Sequence, residues 1–185
     1  MASLLKRAWK IALIVCLTTA ALPAMAQVIN SGASPIALTA VLSEAVTLNL
    51  SANAVNFNLT AGSANNPGST SVTATTNWVV TRPRTLSLYA YFASAASALT
   101  DGAGDNIPSS AFQISDNGGA FNALVNTVPF GGANAGLQVA RVRIRRRNRS
   151  GSRNDVMNFN INLAPLPNLP AGDYTGTLTI RAQAI

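Results

Sequence analysis

The chain has no histidine, one cysteine (Cys16), and no lysine beyond Lys10. Catalysis by a serine–histidine or cysteine–histidine pair is therefore excluded, and a zinc site would lack its usual ligands. A pair of carboxylates is the remaining route to catalysis. The acidic residues are Glu44, Asp101, Asp105, Asp116, Asp155 and Asp173. Most of them fall in predicted turns, where aspartate is common for conformational reasons, so we expect no enzyme, no catalytic residue, no metal site and no cofactor.

The first 26 residues have the order of a secretory signal peptide. Lys6, Arg7 and Lys10 precede an apolar run at 11–22, and small residues stand before a cleavage site after Ala26. The run is too short to cross about 30 Å of hydrocarbon as a helix, which needs roughly 20 residues. The sequence thus predicts export to the periplasm, the cell surface or the medium. It predicts neither a membrane span nor a disulfide in the mature chain, because Cys16 leaves with the signal.

Charge is scarce in the residues after this cleavage site. Ten arginines stand against six acidic residues, a net charge of +4, while Asn, Ser, Thr, Gly and Ala supply most of the polarity. This composition is typical of secreted β proteins that pack against copies of themselves. Removal of 26 residues from 185 leaves 159, enough for one domain with a sizeable core. We predict a signal peptide (1–26), an N-terminal extension that is a candidate donor strand (27–38) and a β-sandwich domain (39–185).

Hydrophobic periodicity after the signal is that of strands, with no long helical period. Apolar and polar side chains alternate at 45–50, 55–59 and 156–163, as expected for strands with one buried face. Further strands are predicted at 36–42, 71–80, 86–92, 111–115, 137–144 and 172–185. Turns are predicted at 62–69, 101–106 and 116–119, a glycine-rich loop at 128–136, and one short helical turn at 93–99. The pattern predicts an all-β fold, a sandwich or a barrel.

Seven of the ten arginines after Ala26 lie within 141–153. They are Arg141, Arg143, Arg145, Arg146, Arg147, Arg149 and Arg153. The first three alternate with apolar residues, which predicts a strand with one basic face. One interpretation is a patch that contacts phosphate or carboxylate on a lipid head group, an anionic glycan or a neighbouring subunit. The other is a solvated hairpin whose charge prevents edge-to-edge association. No aromatic residue lies between Phe130 and Phe159, so nucleic acid is not the expected partner.

The C-terminal segment Leu169-Pro-Ala-Gly-Asp-Tyr-Thr-Gly-Thr-Leu-Thr-Ile180 resembles the closing strand of secreted bacterial pilin-type domains. The spore-coat-U/secreted-pili group and other fimbrial subunits end in a similar Pro-Ala-Gly-x-Tyr-x-x-x-Leu-x-Ile strand. In those families the fold is an incomplete immunoglobulin-like sandwich, which a strand from a chaperone and then from the next subunit completes. For this chain the resemblance implies a single immunoglobulin-like antiparallel β-sandwich. It also implies a terminal strand and assembly edge that includes Gly172, Tyr174, Gly176, Leu178 and Ile180. This chain differs from many such subunits in lacking their disulfide.

These observations give three hypotheses for the function. The first is a secreted structural surface or fimbrial subunit that acts by self-association or adhesion through β-strand addition. Its partners are expected to be copies of itself or related surface subunits, and the resemblance implies a periplasmic chaperone and usher. The second is a secreted binding module whose arginine-rich hairpin contacts an anionic glycan or lipid head group. The third and least favoured is a carboxylate-dependent hydrolase.

Overall fold

The computed structural model describes residues 36–185, and within this range it confirms the predicted all-β antiparallel sandwich. The predicted signal peptide (1–26) and residues 27–35 of the predicted extension lie outside the described residues. The strands are β1 (Ala45–Leu50), β2 (Asn66–Pro67), β3 (Val72–Val79), β4 (Arg84–Tyr91), β5 (Leu99–Thr100), β6 (Asn106–Ile107), β7 (Phe112–Asp116), β8 (Asn122–Ala123), β9 (Gly136–Ile144), β10 (Ser150–Ile161) and β11 (Thr179–Ala184). Two 3-10 turns, Ser109–Ala111 and Arg146–Asn148, are the helical segments of this range. None of its helices is long and apolar enough to span a bilayer.

Two sheets form the sandwich. The larger has the order β1–β3–β10–β7–β8, with β2 also paired to β10, and the smaller has the order β11–β4–β9. β5 and β6 pair separately. Val79 pairs with both Ala45 and Ser150, so β1 and β10 begin at the end of the sandwich where β3 finishes. Trp78 and Val80 pack there against Leu86 and Ile144, which brings the start of β4 and the end of β9 to the same end.

The apolar core lies between the sheets and is divided by polar side chains. A main cluster contains Phe92, Phe112, Met157 and Phe159, and a smaller one contains Trp78. Along β3, alternate residues are buried because this strand lies inside the larger sheet with one face on the core. Thr76 and Asp155 occupy inward positions of β3 and β10 and are 2% and 1% exposed. The core therefore contains a buried charge, which must be paired to be tolerated.

Three predicted strands are wrong in whole or in part. Residues 36–42 are coil, with Ile36 82% and Leu38 91% exposed. Residues 55–59 keep the predicted alternation of burial but form only the bridge Phe57↔Gly68. The predicted strand 172–185 is a strand only at Thr179–Ala184. At 55–59 and 172–178 the reason is that alternation of side chains needs only one apolar surface, whereas a ladder also needs a neighbouring strand. Residues 36–42 have neither, since their large apolar side chains are exposed.

Other boundaries also differ from the sequence prediction. β10 begins at Ser150 rather than at 156, which moves Arg153 from a turn into a strand. The predicted helical turn at 93–99 is wrong, since bends lead there into β5. β2 falls inside the predicted turn 62–69 because Asn66 reaches the Ile161 end of β10, where its side chain donates to the Ile161 carbonyl at 2.8 Å. The turn at 116–119 is confirmed, with Asn117 and Gly118 both at positive φ.

Candidate functional site

An open groove of about 1160 Å³ lies between the sheets at the edge formed by β1 and β11. One wall is the segment that follows β1 (residues 50–59), and the other is the segment that precedes β11 (169–178). The floor is the main core cluster and includes Phe92, Phe112, Met157, Phe159, Ile161 and Leu163. Pockets for small ligands measure about 300–1,000 Å³. A larger groove with two long walls suits an extended peptide better than a compact molecule.

The main chain of both walls has few partners. The first wall makes one bridge, Phe57↔Gly68, and Ser51 at its start donates its N–H to the Thr73 carbonyl at 3.0 Å. Beside the bridge, the Asn56 carbonyl accepts the Ser69 N–H at 2.8 Å, and the Asn56 N–H donates to the Ser69 hydroxyl at 3.1 Å. The second wall makes one bridge, Thr100↔Thr175, through two N–H···O contacts of 2.9 Å. A peptide laid along either wall would meet unpaired main-chain donors and acceptors beside it and apolar side chains beneath it.

The residues predicted as a terminal strand and assembly edge line this groove, and most of them are not paired in a β-ladder. Gly172 and Gly176 are exposed, whereas Tyr174, Leu178 and Ile180 are half-buried. Only Ile180 belongs to β11, where it pairs with Ala90. The Tyr174 hydroxyl donates to the Pro170 carbonyl at 2.9 Å and holds the wall at its start. Their role in assembly stays a prediction.

The turn between β9 and β10 is fixed against the smaller core cluster. The Trp78 indole N–H donates to the Asn148 carbonyl at 2.8 Å, and the Val80 N–H donates to the Arg149 carbonyl at 2.8 Å. The Arg145 N–H donates to the Asn148 side chain, which closes the 3-10 turn. The guanidinium groups of this turn are thus presented on a rigid backbone. We call the basic residues at this end of the sandwich the arginine end: Arg82, Arg145, Arg146, Arg147 and Arg149.

No carboxylate of the described residues forms an ion pair with the arginine end. The ion pairs in residues 36–185 are Arg84–Glu44 at 2.7 Å and those of Arg153. Arg153 projects between the sheets, 2.6 Å from Asp155 and 3.7 Å from Asp116. The structure therefore separates Arg153 from the other six arginines of the predicted patch. Whether those six contact an anion stays a prediction.

The outer face of the smaller sheet carries a second group of arginines. Arg141 and Arg143 are exposed on β9, and the Arg181 guanidinium lies 4.1 Å from the centre of the Phe130 ring. That ring lies 5.9 Å from the rings of both Tyr89 and Tyr91. Sequence reasoning missed this aromatic group because its members come from β4, β11 and a loop. Arg181 covers Phe130, so the group stabilises the sheet and is not a free stacking surface.

Three of the six acidic residues lie at the end of the sandwich opposite the arginines. Asp101 and Asp105 flank the loop between β5 and β6, and Asp173 lies in the second groove wall. The Asp101 carboxylate accepts the N–H groups of Ala103, Gly104 and Asp105 at 2.8–3.1 Å, which makes the predicted turn an aspartate-closed loop. Burial raises the pKa of the Tyr174 hydroxyl, and Asp105 and Asp101 raise it further. We call Asp101, Asp105 and Asp173 the acid end.

Two carboxylates give stability changes of opposite sign with pH. Burial raises the pKa of Asp116 above 3.8, and the neighbouring Asp155 carboxylate raises it further. Hydrogen bonds from Thr81 and Arg84 lower the pKa of Glu44 from 4.5 to about 2. A raised carboxyl pKa means that the folded state favours the protonated form of Asp116. The stability that this group contributes is therefore fully present below pH 3.8 and is lost as the pH rises through the pKa of the folded state. The Glu44 contribution is present above 4.5 and is lost as the pH falls toward 2.

We therefore expect Asp116→Asn to unfold at higher denaturant than wild type at neutral pH, with the gain vanishing below pH 3.8. Glu44→Gln should unfold at lower denaturant at neutral pH, with the loss shrinking between pH 4.5 and about 2. Urea unfolding at a series of pH values measures both, and each variant is the control for the other. Parallel curves for wild type and both variants would contradict these pKa directions.

Comparisons with protein-family models, with curated proteins and with solved structures gave no match to this chain, so the groove and the arginine end are interpreted from their own geometry.

Proposed function

We propose that this protein is an exported structural subunit that assembles with copies of itself by β-strand addition. The observation that supports the proposal most strongly is the groove of about 1160 Å³, whose floor is core and whose walls have unpaired main chain. A strand entering it would pair with a wall and place every second side chain on the floor. The resemblance of residues 169–180 to the closing strand of pilin-type subunits points to the same mode of assembly. A chaperone that occupies the groove before assembly, and an usher, are the further partners we propose.

The entering strand is the N-terminal extension of a second copy. Ile36 and Leu38, at the end of this extension, are spaced two residues apart and therefore share one face of an extended chain. Their side chains are 82% and 91% exposed, so their apolar surface finds no cover among the described residues. Exposed large apolar side chains in a row are characteristic of interaction segments. The run that forms no strand in its own chain thus has the side chains to form one in another.

The length of the extension agrees with the groove. The wall at 172–178 spans about 23 Å if extended at about 3.3 Å per residue. The predicted extension 27–38 spans about 40 Å by the same measure. It therefore covers the wall with residues to spare, and burial of each large aliphatic side chain contributes roughly 1.5–3 kcal/mol.

The test compares two charge insertions on opposite faces of the extension. In protein produced from the full chain, Ile36→Asp/Leu38→Asp should prevent assembly because carboxylates would have to enter the apolar floor. The matched control Ala37→Asp/Thr39→Asp places the same charges on the other face and should assemble. All four positions are exposed coil in the chain itself, so the melting temperature should not change in either variant.

Sedimentation velocity and electron microscopy across a concentration series measure the assembly. Wild-type protein that remains monomeric at every concentration would contradict the proposed function. Equal assembly of the two variants would contradict the assignment of 36–38 to the entering strand.

A further inference from the structure

The sandwich carries arginines without ion-pair partners at one end and three of its carboxylates at the other. The arginine end lies where β3 finishes and β4 begins, and carries five arginines without an ion-pair partner among the described residues. The acid end lies beyond the other end of β4, since Tyr91 pairs with Thr179 there and Thr100 beside Asp101 bridges Thr175. β4 has eight residues, so roughly 25 Å of strand separates the two charged groups. The β11 arginine, Arg181, pairs with Tyr89 two residues from this end of β4, and its guanidinium is held over the Phe130 ring.

The chain leaves the domain at one of these ends, and the groove occupies the half next to the other. β1 begins at Ala45, which pairs with Val79 at the arginine end, and Glu44 is held there by Thr81 and Arg84. Residues 41–44 therefore lead out of the domain beside the arginines. The groove is lined by Leu50, Val72, Phe92 and residues 172–178, which belong to the opposite half. An extension that fills the groove of a second copy brings its own arginine end toward the acid end of that copy.

We propose that the arginine end of one copy contacts the acid end of the next, so that subunits join head to tail in one direction. This inference rests on the proposed strand addition and adds the surface that orients it. The partner is a second copy of this chain, because the same chain supplies the complementary carboxylates at the end where the groove lies. A head-to-tail contact uses two different surfaces, and it generates an open filament when its rotation does not close.

Length and charge both support a direct contact. If the entering strand finishes at Leu38, residues 39–44 are the linker, and six residues span at most about 20 Å. Exposed charges act over a Debye length of about 10 Å at 0.1 M salt. The two ends are therefore within reach of each other throughout docking. Arginine, the only basic residue after Ala26, suits this contact because its planar fork binds a carboxylate through two N–H groups.

Charge reversal tests the contact in protein produced from the full chain. Arg146→Glu/Arg147→Glu should assemble about tenfold more weakly than wild type, and so should Asp105→Arg/Asp173→Arg. Combining the four substitutions should restore assembly, because the reversed ends attract each other again. An equimolar mixture of the two double variants should also assemble. Arg141→Glu/Arg143→Glu, which changes net charge equally at exposed positions of β9 on the outer face of the smaller sheet, is the control and should leave assembly unchanged. Asp101 is kept because it closes its own loop.

The outcomes separate this inference from the function it rests on. Sedimentation velocity at low and high salt should show that salt weakens assembly of the wild type and of the four-substitution variant alike, because both contacts join exposed opposite charges. Wild type that assembles, and loses assembly through Ile36→Asp/Leu38→Asp but not through charge reversal, overturns this inference alone. Wild type that stays monomeric overturns both. Loss of assembly in Arg146→Glu/Arg147→Glu that the four-substitution variant does not recover overturns the contact.

Discussion

Asp155→Ala is expected to lower the free energy of unfolding by about 3 kcal/mol, near the lower limit for breaking a buried ion pair. Asp155 is 1% exposed, and its carboxylate accepts the Arg153 Nε–H at 2.6 Å. Removing the carboxylate leaves the guanidinium partly enclosed between the sheets, with Asp116 at 3.7 Å as its remaining partner. The Arg153 side chain is 30% exposed, so water reduces the penalty from that of a fully buried charge. Urea unfolding followed by circular dichroism at neutral pH measures the change.

A double-mutant cycle shows whether the loss comes from the uncompensated charge. Arg153→Met/Asp155→Ala completes the cycle and should lose less stability than the two single losses added together, because no buried charge is left without a partner. Arg153→Met alone should also destabilise, since it leaves the Asp155 carboxylate buried beside Asp116. Additive losses in the double variant would contradict a direct interaction between the two side chains.

The inward orientation of this pair could have been predicted from its even spacing to the apolar residues of the same strand. Arg153 and Asp155 are an even number of residues from Met157, Phe159 and Ile161, so all five share one face of a strand. Beginning that strand at 156 placed Arg153 in a turn with the other arginines. The strand begins earlier because Ser150 to Met157 pair with β3. Pairing with a strand some 75 residues away leaves no local signal in the sequence for where the strand begins. The one local indication is that Asp155 lies two residues from Arg153, on the face that carries the apolar residues.

The sequence predicted strands correctly where one face of the strand is covered by the apolar core and the other is exposed. The alternation at 45–50 and 137–144 predicted β1 and β9 because each of these strands has one covered face. At 55–59 and 172–178 the burial pattern is as predicted, but the ladder is missing. Hydrogen-bond partners are set by what other segments supply, and periodicity does not encode them. The segments with strand periodicity but no ladder are those that form the groove walls.

The aromatic support of Arg181 has a similar explanation. Phe130 and Arg181 are 51 positions apart in the sequence, and a contact of 4.1 Å between them depends on how the loop before β9 folds over β4 and β11. The absence of aromatic residues between Phe130 and Phe159 therefore does not exclude aromatic residues beside the arginines.

Gly176→Ala is expected to destabilise the fold by about 2 kcal/mol and to disturb the second groove wall. A Cβ at this position would lie 2.0 Å from the Ala98 carbonyl oxygen and 3.1 Å from its carbon. Those are main-chain atoms next to β5, so the conflict is relieved only if the 174–178 segment moves away. That movement would strain the Thr100↔Thr175 bridge that fixes the wall. Thermal and urea unfolding give the stability, and sedimentation velocity gives the effect on assembly.

Gly172→Ala is the matched control for this clash. Neither glycine has a positive φ, so neither substitution strains the backbone. A Cβ at Gly172 would lie 3.6 Å from its nearest atom, which is an ordinary contact distance. Gly172→Ala should therefore be neutral or stabilise by about 0.5 kcal/mol, because alanine restricts the unfolded chain. If strand addition requires the wall in its present place, assembly should weaken in Gly176→Ala under conditions where the protein is still folded and persist in Gly172→Ala. Equal behaviour of the two variants would mean that the contact between Gly176 and Ala98 neither holds the wall nor matters to the groove.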